Sequence, residues 1–308
     1  MDRLSAMETF VIVVDAGSFS GAARLLRVGQ PSVSKTVAQL EAHLGVQLLL
    51  RSPRGLTPTE AGRNYYEGAL RTLNDAMEAE SSARGASAGL TGRLKICAPV
   101  TFARLHIVPY LAGFFDSHPQ VTVEVVLDDR NIDLVEAGID VAIRMGELDD
   151  SSMTARKLSQ RSRKVVGIPA YFAAHGEPQT PAELAVHQTI VHGRNGGGVP
   201  WTFSNGGTQH AVVASGRLHV TAAEGVRAAV LAGLGVAIAS EWMFAPELAD
   251  GTVKAVLQAW TLPPADLWAV FPSGRKASAK ARAFVAFVEE TLAGPALSDP
   301  ADGSMTPG

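Results

Sequence analysis

Apolar residues at helical spacing mark the N-terminal part of the chain. Phe19, Ala22, Ala23 and Leu26 recur at three- and four-residue steps, with Ser18 or Ser20 as the N-cap. Val28 and Gly29 interrupt the run, and Gln30-Pro31 opens a second helix, since proline loses nothing at a first helical position. Val33, Val37, Leu40 and Leu44 form one stripe of that helix. Its opposite face carries Pro31, Lys35, Ala38 and Gln39, flanked by Ser32 and Ser34. Residues 48–50 read as a short apolar strand, and Arg51-Ser52-Pro53-Arg54-Gly55 as an exposed turn after it. Thr57-Pro58-Thr59-Glu60 then forms a capping box with proline at its first helical position, announcing a long helix.

Along that long helix, Gly62, Tyr65, Ala69, Thr72, Ala76, Ala79 and Ala83 alternate three- and four-residue steps, the spacing of a heptad seam. Tyr66, Leu70, Leu73 and Met77 form a neighbouring stripe. The seam suits self-association or an intradomain core. Dimerisation through Gly62, Tyr65, Ala69, Thr72, Leu73 and Ala76 is favoured, because a helix-turn-helix reads half-sites related by protein symmetry.

Charge sharpens this picture. Between Ser20 and Arg63 the basic residues are Arg24, Arg27, Lys35, Arg51, Arg54 and Arg63, against only Glu41 and Glu60, whereas the whole chain carries a formal net charge of −3. Two short helices, a turn and a basic hairpin tip make the sequence form of a winged helix-turn-helix. Small, polar and cationic groups suit a face that enters a major groove, although an ordinary solvated face has the same composition. The residues expected to meet double-stranded promoter DNA are Ser20, Arg24, Gln30, Pro31, Ser32, Ser34, Lys35, Gln39, Arg51 and Arg54.

Residues 81–91 are small and flexible, and beyond them strands and helices alternate. Strands are expected at 94–98, 121–127 and 141–144, a helix at 105–117 and a helical turn at 133–137. Residues 165–168 read as a crossing strand into a second α/β unit that runs to about residue 264. Residues 267–271 return to the first unit, and 278–292 form an amphipathic closing helix. Two lobes joined by two crossings make a cleft, and open α/β sheets bind ligands at the carboxyl ends of their strands. The pocket residues expected by position are Pro99, Val100, Thr101, Phe102, Asp128 and Arg144 from one lobe, with His192, Gly193, Thr221 and Ala222 from the other. Thr101 at a helix start suits an anionic group, and Arg144 suits either an effector carboxylate or an interlobe salt bridge with Asp128 or Asp140.

Several linked motifs resemble the LysR-type transcriptional regulators. They are Ala22-Ala23 with Leu26, Gln30-Pro31-Ser32-Val33-Ser34, Leu40-Glu41 with Leu44-Gly45, Arg51, and Thr59-Glu60-Ala61-Gly62. Gly29, Lys35 and Leu49 depart from the usual serine, arginine and phenylalanine, changes that bear on base preference. Further matches run through Gly92-Arg93-Leu94, Ala98-Pro99-Val100, residues 133–138 and residues 142–148, and are most similar to the CrgA-like and DmlR-like branch. The resemblance implies an α/β chain with an α-rich N-terminal winged helix-turn-helix and a type 2 periplasmic-binding-protein-like effector domain of two lobes. It also implies a small-molecule effector, a carboxylate or an aromatic, and assembly as a dimer or a dimer of dimers, with RNA polymerase as a further partner. The expected boundaries are 1–62 for the DNA-binding domain, 58–86 for the linker helix and 87–91 for the hinge. The effector domain spans 92–294, with lobe I at 92–167 and 268–294 and lobe II at 168–267, followed by a disordered tail at 295–308.

The remaining features narrow the function. At 308 residues the chain exceeds the size of one core, and 46% hydrophobic with 19% charged residues is a globular composition. The start MDRLSAMETF lacks the signal-peptide form and the apolar run 228–239 is too short to span a bilayer, so a cytoplasmic, nucleoid-associated protein with no membrane partner is expected. The single cysteine, Cys97, reads as a small buried hydrophobe, and neither a cofactor nor a metal is expected. Ser32-Val33-Ser34-Lys35 fits a serine-acyltransferase motif without its partner motifs, and residues 193–198 lack the lysine of a phosphate loop and suit a mobile loop at the cleft mouth. His187 and His192 are too isolated for a metal site. Arg156-Lys157 and residues 161–164 read as solvated surface. The rival readings are a cytoplasmic enzyme or ligand-binding module with a vestigial helix-turn-helix, and an architectural DNA-binding protein without a ligand.

Overall fold

The computed structural model describes residues 2–52, 55–84, 89–148, 153–193, 199–214, 216–272 and 277–294. The chain divides into two compact units, residues 1–93 with 120–122 and the rest. In the first, α1 (Arg3–Ala16), α2 (Phe19–Leu26) and α3 (Gln30–Leu44) precede the antiparallel hairpin β1 (Leu49–Ser52) and β2 (Gly55–Pro58) and the long α4 (Glu60–Arg84). Ser18 settles the cap of α2, its Oγ accepting the Gly21 N–H at 3.0 Å. Phe10, Val13, Ala22, Val33, Val37, Leu40 and Leu48 share one core, which leaves Leu44 outside it. Helix α1, absent from the expected elements, supplies Ala6, Phe10 and Val13 to that core.

The structure moves one boundary here. Thr57 and Pro58 belong to β2, where Pro58 faces Leu49. Thr59 caps α4 instead: its Oγ1 accepts the Gly62 N–H at 2.9 Å and donates to the Gln47 carbonyl at 2.8 Å.

The second unit has two lobes. Lobe I contains β3 (Thr91–Ala98), α5 (Val100–His106), α6 (Leu111–Ser117), β4 (Gln120–Leu127), β5 (Val141–Met145) and β6 (Thr154–Arg161). Lobe II follows with β7 (Arg163–Gly167), α7 (Pro169–His175), β8 (Ile190–His192), β9 (Val199–Asn205) and β10 (Thr208–Ala214). It continues with β11 (Leu218–Val220), α8 (Ala223–Leu231), β12 (Ala237–Ser240), α9 (Glu241–Asp250) and β13 (Lys254–Val256). The chain then returns to lobe I through β14 (Ala265–Phe271) and α10 (Ala279–Ala293). Lobe I is built on a five-stranded sheet of order β4-β3-β5-β14-β6; in lobe II, β12-β7-β13, β11-β8 and the β9-β10 hairpin form three smaller sheets.

The structure corrects four expectations. The crossing lies at Ser162, because β7 pairs with β12 and β13, so residues 163–167 belong to lobe II; the return begins at Ala265 rather than 268. Arg156 and Lys157 are exposed, as expected of solvated surface, on an edge strand paired with β14, but residues 161–164, expected to be solvated too, are half-buried. The single helix expected at 105–117 is two, broken by Ile107 and a 3-10 turn at Val108–Tyr110. The tail 295–308, the loop at 194–198 and part of the hinge fall outside the described residues.

Candidate nucleic-acid interface and effector cavity

In the first unit the buried stripe of α3 leaves Gln30, Pro31, Ser32, Lys35 and Gln39 exposed, with Ser34 half-buried; Ser20 and Arg24 are exposed on α2. None of Arg24, Arg27 and Lys35 is ion-paired with a described residue, so their charges remain available to an external anion. Arg51 lies in β1 with its backbone paired to Leu56, and Arg54 falls outside the described residues. Sequence reasoning passed over Glu41, whose Oε1 accepts the N–H groups of Leu48 at 2.7 Å and Leu49 at 3.1 Å. That carboxylate ties α3 to the first strand of the wing.

The upper part of the α4 seam is used inside the unit. A Cβ on Gly62 would stand 2.0 Å from the Leu48 carbonyl oxygen, so only glycine lets the helix approach the wing. Tyr65 packs edge-on against Phe10 with ring centroids 5.5 Å apart, and Ala69 is buried. Tyr66 donates to Asp15 Oδ1 at 2.5 Å; burial first, then that hydrogen bond, pushes its pKa up to about 12. Thr72 is exposed, and Leu73 and Ala76 are half-buried. These three have surface to offer a second copy.

In the second unit a cavity of about 470 Å³ opens between the lobes, within the usual size of small-ligand sites. Of the expected residues, Pro99, Asp128, Arg144 and His192 line it. Val100, Thr101, Phe102, Gly193, Thr221 and Ala222 do not. Val100 donates its N–H to Asp129 Oδ1 at 2.9 Å, while the buried Thr101 donates its hydroxyl to Glu224 Oε2 at 2.9 Å, with Arg104 on the same carboxylate. Phe102 packs edge-on against Trp242, centroids 5.7 Å apart. The Gly193 N–H donates to the Val220 carbonyl at 3.0 Å, and the Ala222 carbonyl accepts the Gly225 and Val226 N–H groups in the first turn of α8. An interlobe contact therefore occupies what position alone assigned to the ligand.

Asp128 is held by Arg130, whose Nε and Nη2 donate at 3.0 and 2.8 Å to its two oxygens; that guanidinium holds the Asp128 pKa down at about 2. Arg144 forms neither suggested aspartate bridge but donates Nη1 to the Arg130 carbonyl at 3.0 Å. Asp140 accepts the Lys95 N–H at 2.8 Å. Beside Arg144 lies Cys97, buried as expected, its thiol pushed up chiefly by desolvation. The lining that sequence reasoning missed includes Asp129, Met145, Arg163, Trp201, Ile238 and Met243. Strand ends were the available signal, and they identified Asp128 and Arg144 but not β7, whose lobe was misassigned.

Residues 4–63 match the bacterial regulatory helix-turn-helix family of lysR type, and residues 87–293 match the LysR substrate binding domain. The chain is a LysR-type DNA-binding transcriptional regulator. It is 34% identical over 290 residues to the regulator PtxR of Pseudomonas aeruginosa, covering 94% of this chain and 93% of that one. It is 32% identical over 291 residues to DmlR of Escherichia coli, with 94% of each chain covered. The solved structure of CrgA, a LysR-type transcriptional regulator from Neisseria meningitidis, superposes with a TM-score of 0.61 at 31% identity, covering 94% of this chain and 99% of that one. This regulator therefore carries the family's two parts, a helix-turn-helix and an effector-binding domain, as the sequence motifs implied. No helix among the described residues is long and apolar enough to cross a membrane.

Proposed function

We propose that this regulator binds promoter DNA as a dimer or tetramer and adjusts that binding when a small molecule enters the interlobe cavity, without chemical turnover. The carrying observation is the exposed set Arg24, Arg27 and Lys35 around the exposed face of α3, none of them ion-paired among the described residues. Gln30, Pro31, Ser32, Ser34 and Gln39 read bases or backbone in the major groove, while Ser20, Arg51 and Arg54 supply phosphate or minor-groove contacts. Thr72, Leu73 and Ala76 continue the pairing surface of α4. A cytoplasmic site of action next to the nucleoid and RNA polymerase follows from that role. Ligand control requires different affinities for the open and closed lobes, since equal affinity shifts nothing.

Footprinting of the purified full chain on the DNA upstream of its own gene tests the reading. A protected inverted repeat that resists excess random competitor is expected; equal binding to operator and random DNA at low salt overturns it.

A further inference from the structure

We propose that the interlobe cavity takes a small monocarboxylate with a flat apolar body, its carboxylate held by Arg163; this inference rests on the reading of the cavity as the effector site. Four groups could receive a ligand anion. Thr101 is already engaged by Glu224, and the Arg130 guanidinium by Asp128. Arg144 spends one N–H on the Arg130 carbonyl. Arg163 is different: it begins β7, pairs through its backbone register with Ser240, and lines the cavity half-buried. Among the described residues its guanidinium has neither a carboxylate nor a hydrogen-bond acceptor. A partly desolvated guanidinium without an acceptor is costly, and a bidentate carboxylate is the group that best matches its fork.

The charge of the lining selects the valence. Arg130 neutralises Asp128, so Arg144 and Arg163 face one uncompensated carboxylate, Asp129, leaving room for one further negative charge. A second charge on the ligand would meet Asp129. Trp201, Ile238, Met243 and Leu262 furnish apolar wall for the remainder of the molecule. Arg163 lies in lobe II and Arg144 in lobe I, so a bound carboxylate would favour the arrangement that brings both to it.

Thermal shift and calorimetry on the full chain decide the matter, with benzoate, phenylacetate and cyclohexanecarboxylate as probes beside their neutral amides, succinate and inorganic phosphate. At least one monocarboxylate should bind, and its amide should bind about 10- to 100-fold more weakly, the worth of a charge-assisted pair. Arg163→Gln should lose a similar factor while keeping ligand-free operator affinity, and Arg163→Lys should recover part of it. Amide binding equal to the acid, full affinity in Arg163→Gln, or binding of phosphate or succinate alone would overturn the assignment. If Arg163→Gln fails to fold, Arg163→Lys takes its place, and acid affinity unchanged from wild type in that variant would overturn the assignment. Neutral probes binding where acids do not would sink the carboxylate while sparing the cavity, whereas a failed footprint with intact acid binding would sink the promoter reading alone.

Discussion

Glu41 offers a test in which electrostatics and structure pull in opposite directions. Its Oε1 receives two backbone N–H groups, from Leu48 and Leu49, and both leucines are buried in the first unit. Hydrogen bonds to a charged group contribute about 1.5–3 kcal/mol each, and half-exposure argues for the lower end, so Glu41→Ala should cost about 3 kcal/mol. For a unit this small, that corresponds to a melting point lower by more than about 10 °C. All four tryptophans, Trp201, Trp242, Trp260 and Trp268, belong to the second unit, so their fluorescence follows that unit while far-UV circular dichroism sees both. Glu41→Ala should move the dichroism transition and leave the fluorescence transition in place. On DNA, loss of a negative charge from a basic surface should tighten binding, whereas loss of the wing anchor should weaken it. Glu41→Gln keeps an acceptor oxygen without the charge, so it should bind as well as wild type or better, and Glu41→Ala worse. An unchanged dichroism midpoint in Glu41→Ala, or tighter DNA binding by that variant, would refute the anchor.

Lys35→Ala should reduce the slope of log affinity against log salt by about 0.9, one lost phosphate contact; an unchanged slope in filter-binding titrations removes Lys35 from the backbone contacts. Thr72→Glu with Ala76→Glu places like charges in the exposed part of the seam and should split the oligomer with helicity intact, and an unaltered mass by light scattering would discard the seam. His106 is buried, its Nε2 2.7 Å from the Trp242 carbonyl oxygen, and desolvation lowers its pKa from 6.5. The unfolded chain therefore takes up the proton first as pH falls below about 6.5, and the second unit should lose stability from there downward. Urea midpoints followed by tryptophan fluorescence should fall less in His106→Gln; an equal fall would assign the acid sensitivity elsewhere.

The parts of the fold that were legible in the sequence are those whose packing has a single period. Val33, Val37 and Leu40 face one core, and their spacing reports it. Helix α1 escaped because the run Phe10 to Val14 is continuously apolar, which blurs an amphipathic stripe even though Ala6, Phe10 and Val13 keep helical spacing. Strand β6 escaped for the opposite reason: at a sheet edge Arg156 and Lys157 remain wet, and alternation carries no signal. The proline at 58 misled because proline suits a sheet edge as well as a helix start, and only pairing with Leu49 distinguishes them.

The cavity was half legible for a related reason. Strand ends can be counted along a chain, so Pro99, Asp128, Arg144 and His192 were found. What neighbours a strand end comes from far away in sequence. Thr101 has the chemistry of an anion site, and it does bind a carboxylate, but that of Glu224, contributed by the other lobe at a separation of 123 residues. Since the Thr101 hydroxyl is spent on the interlobe contact, a ligand anion must compete with Glu224 there or find another partner. Arg163, with no acceptor among the described residues, offers the second course at no cost to the contact that joins α5 to α8.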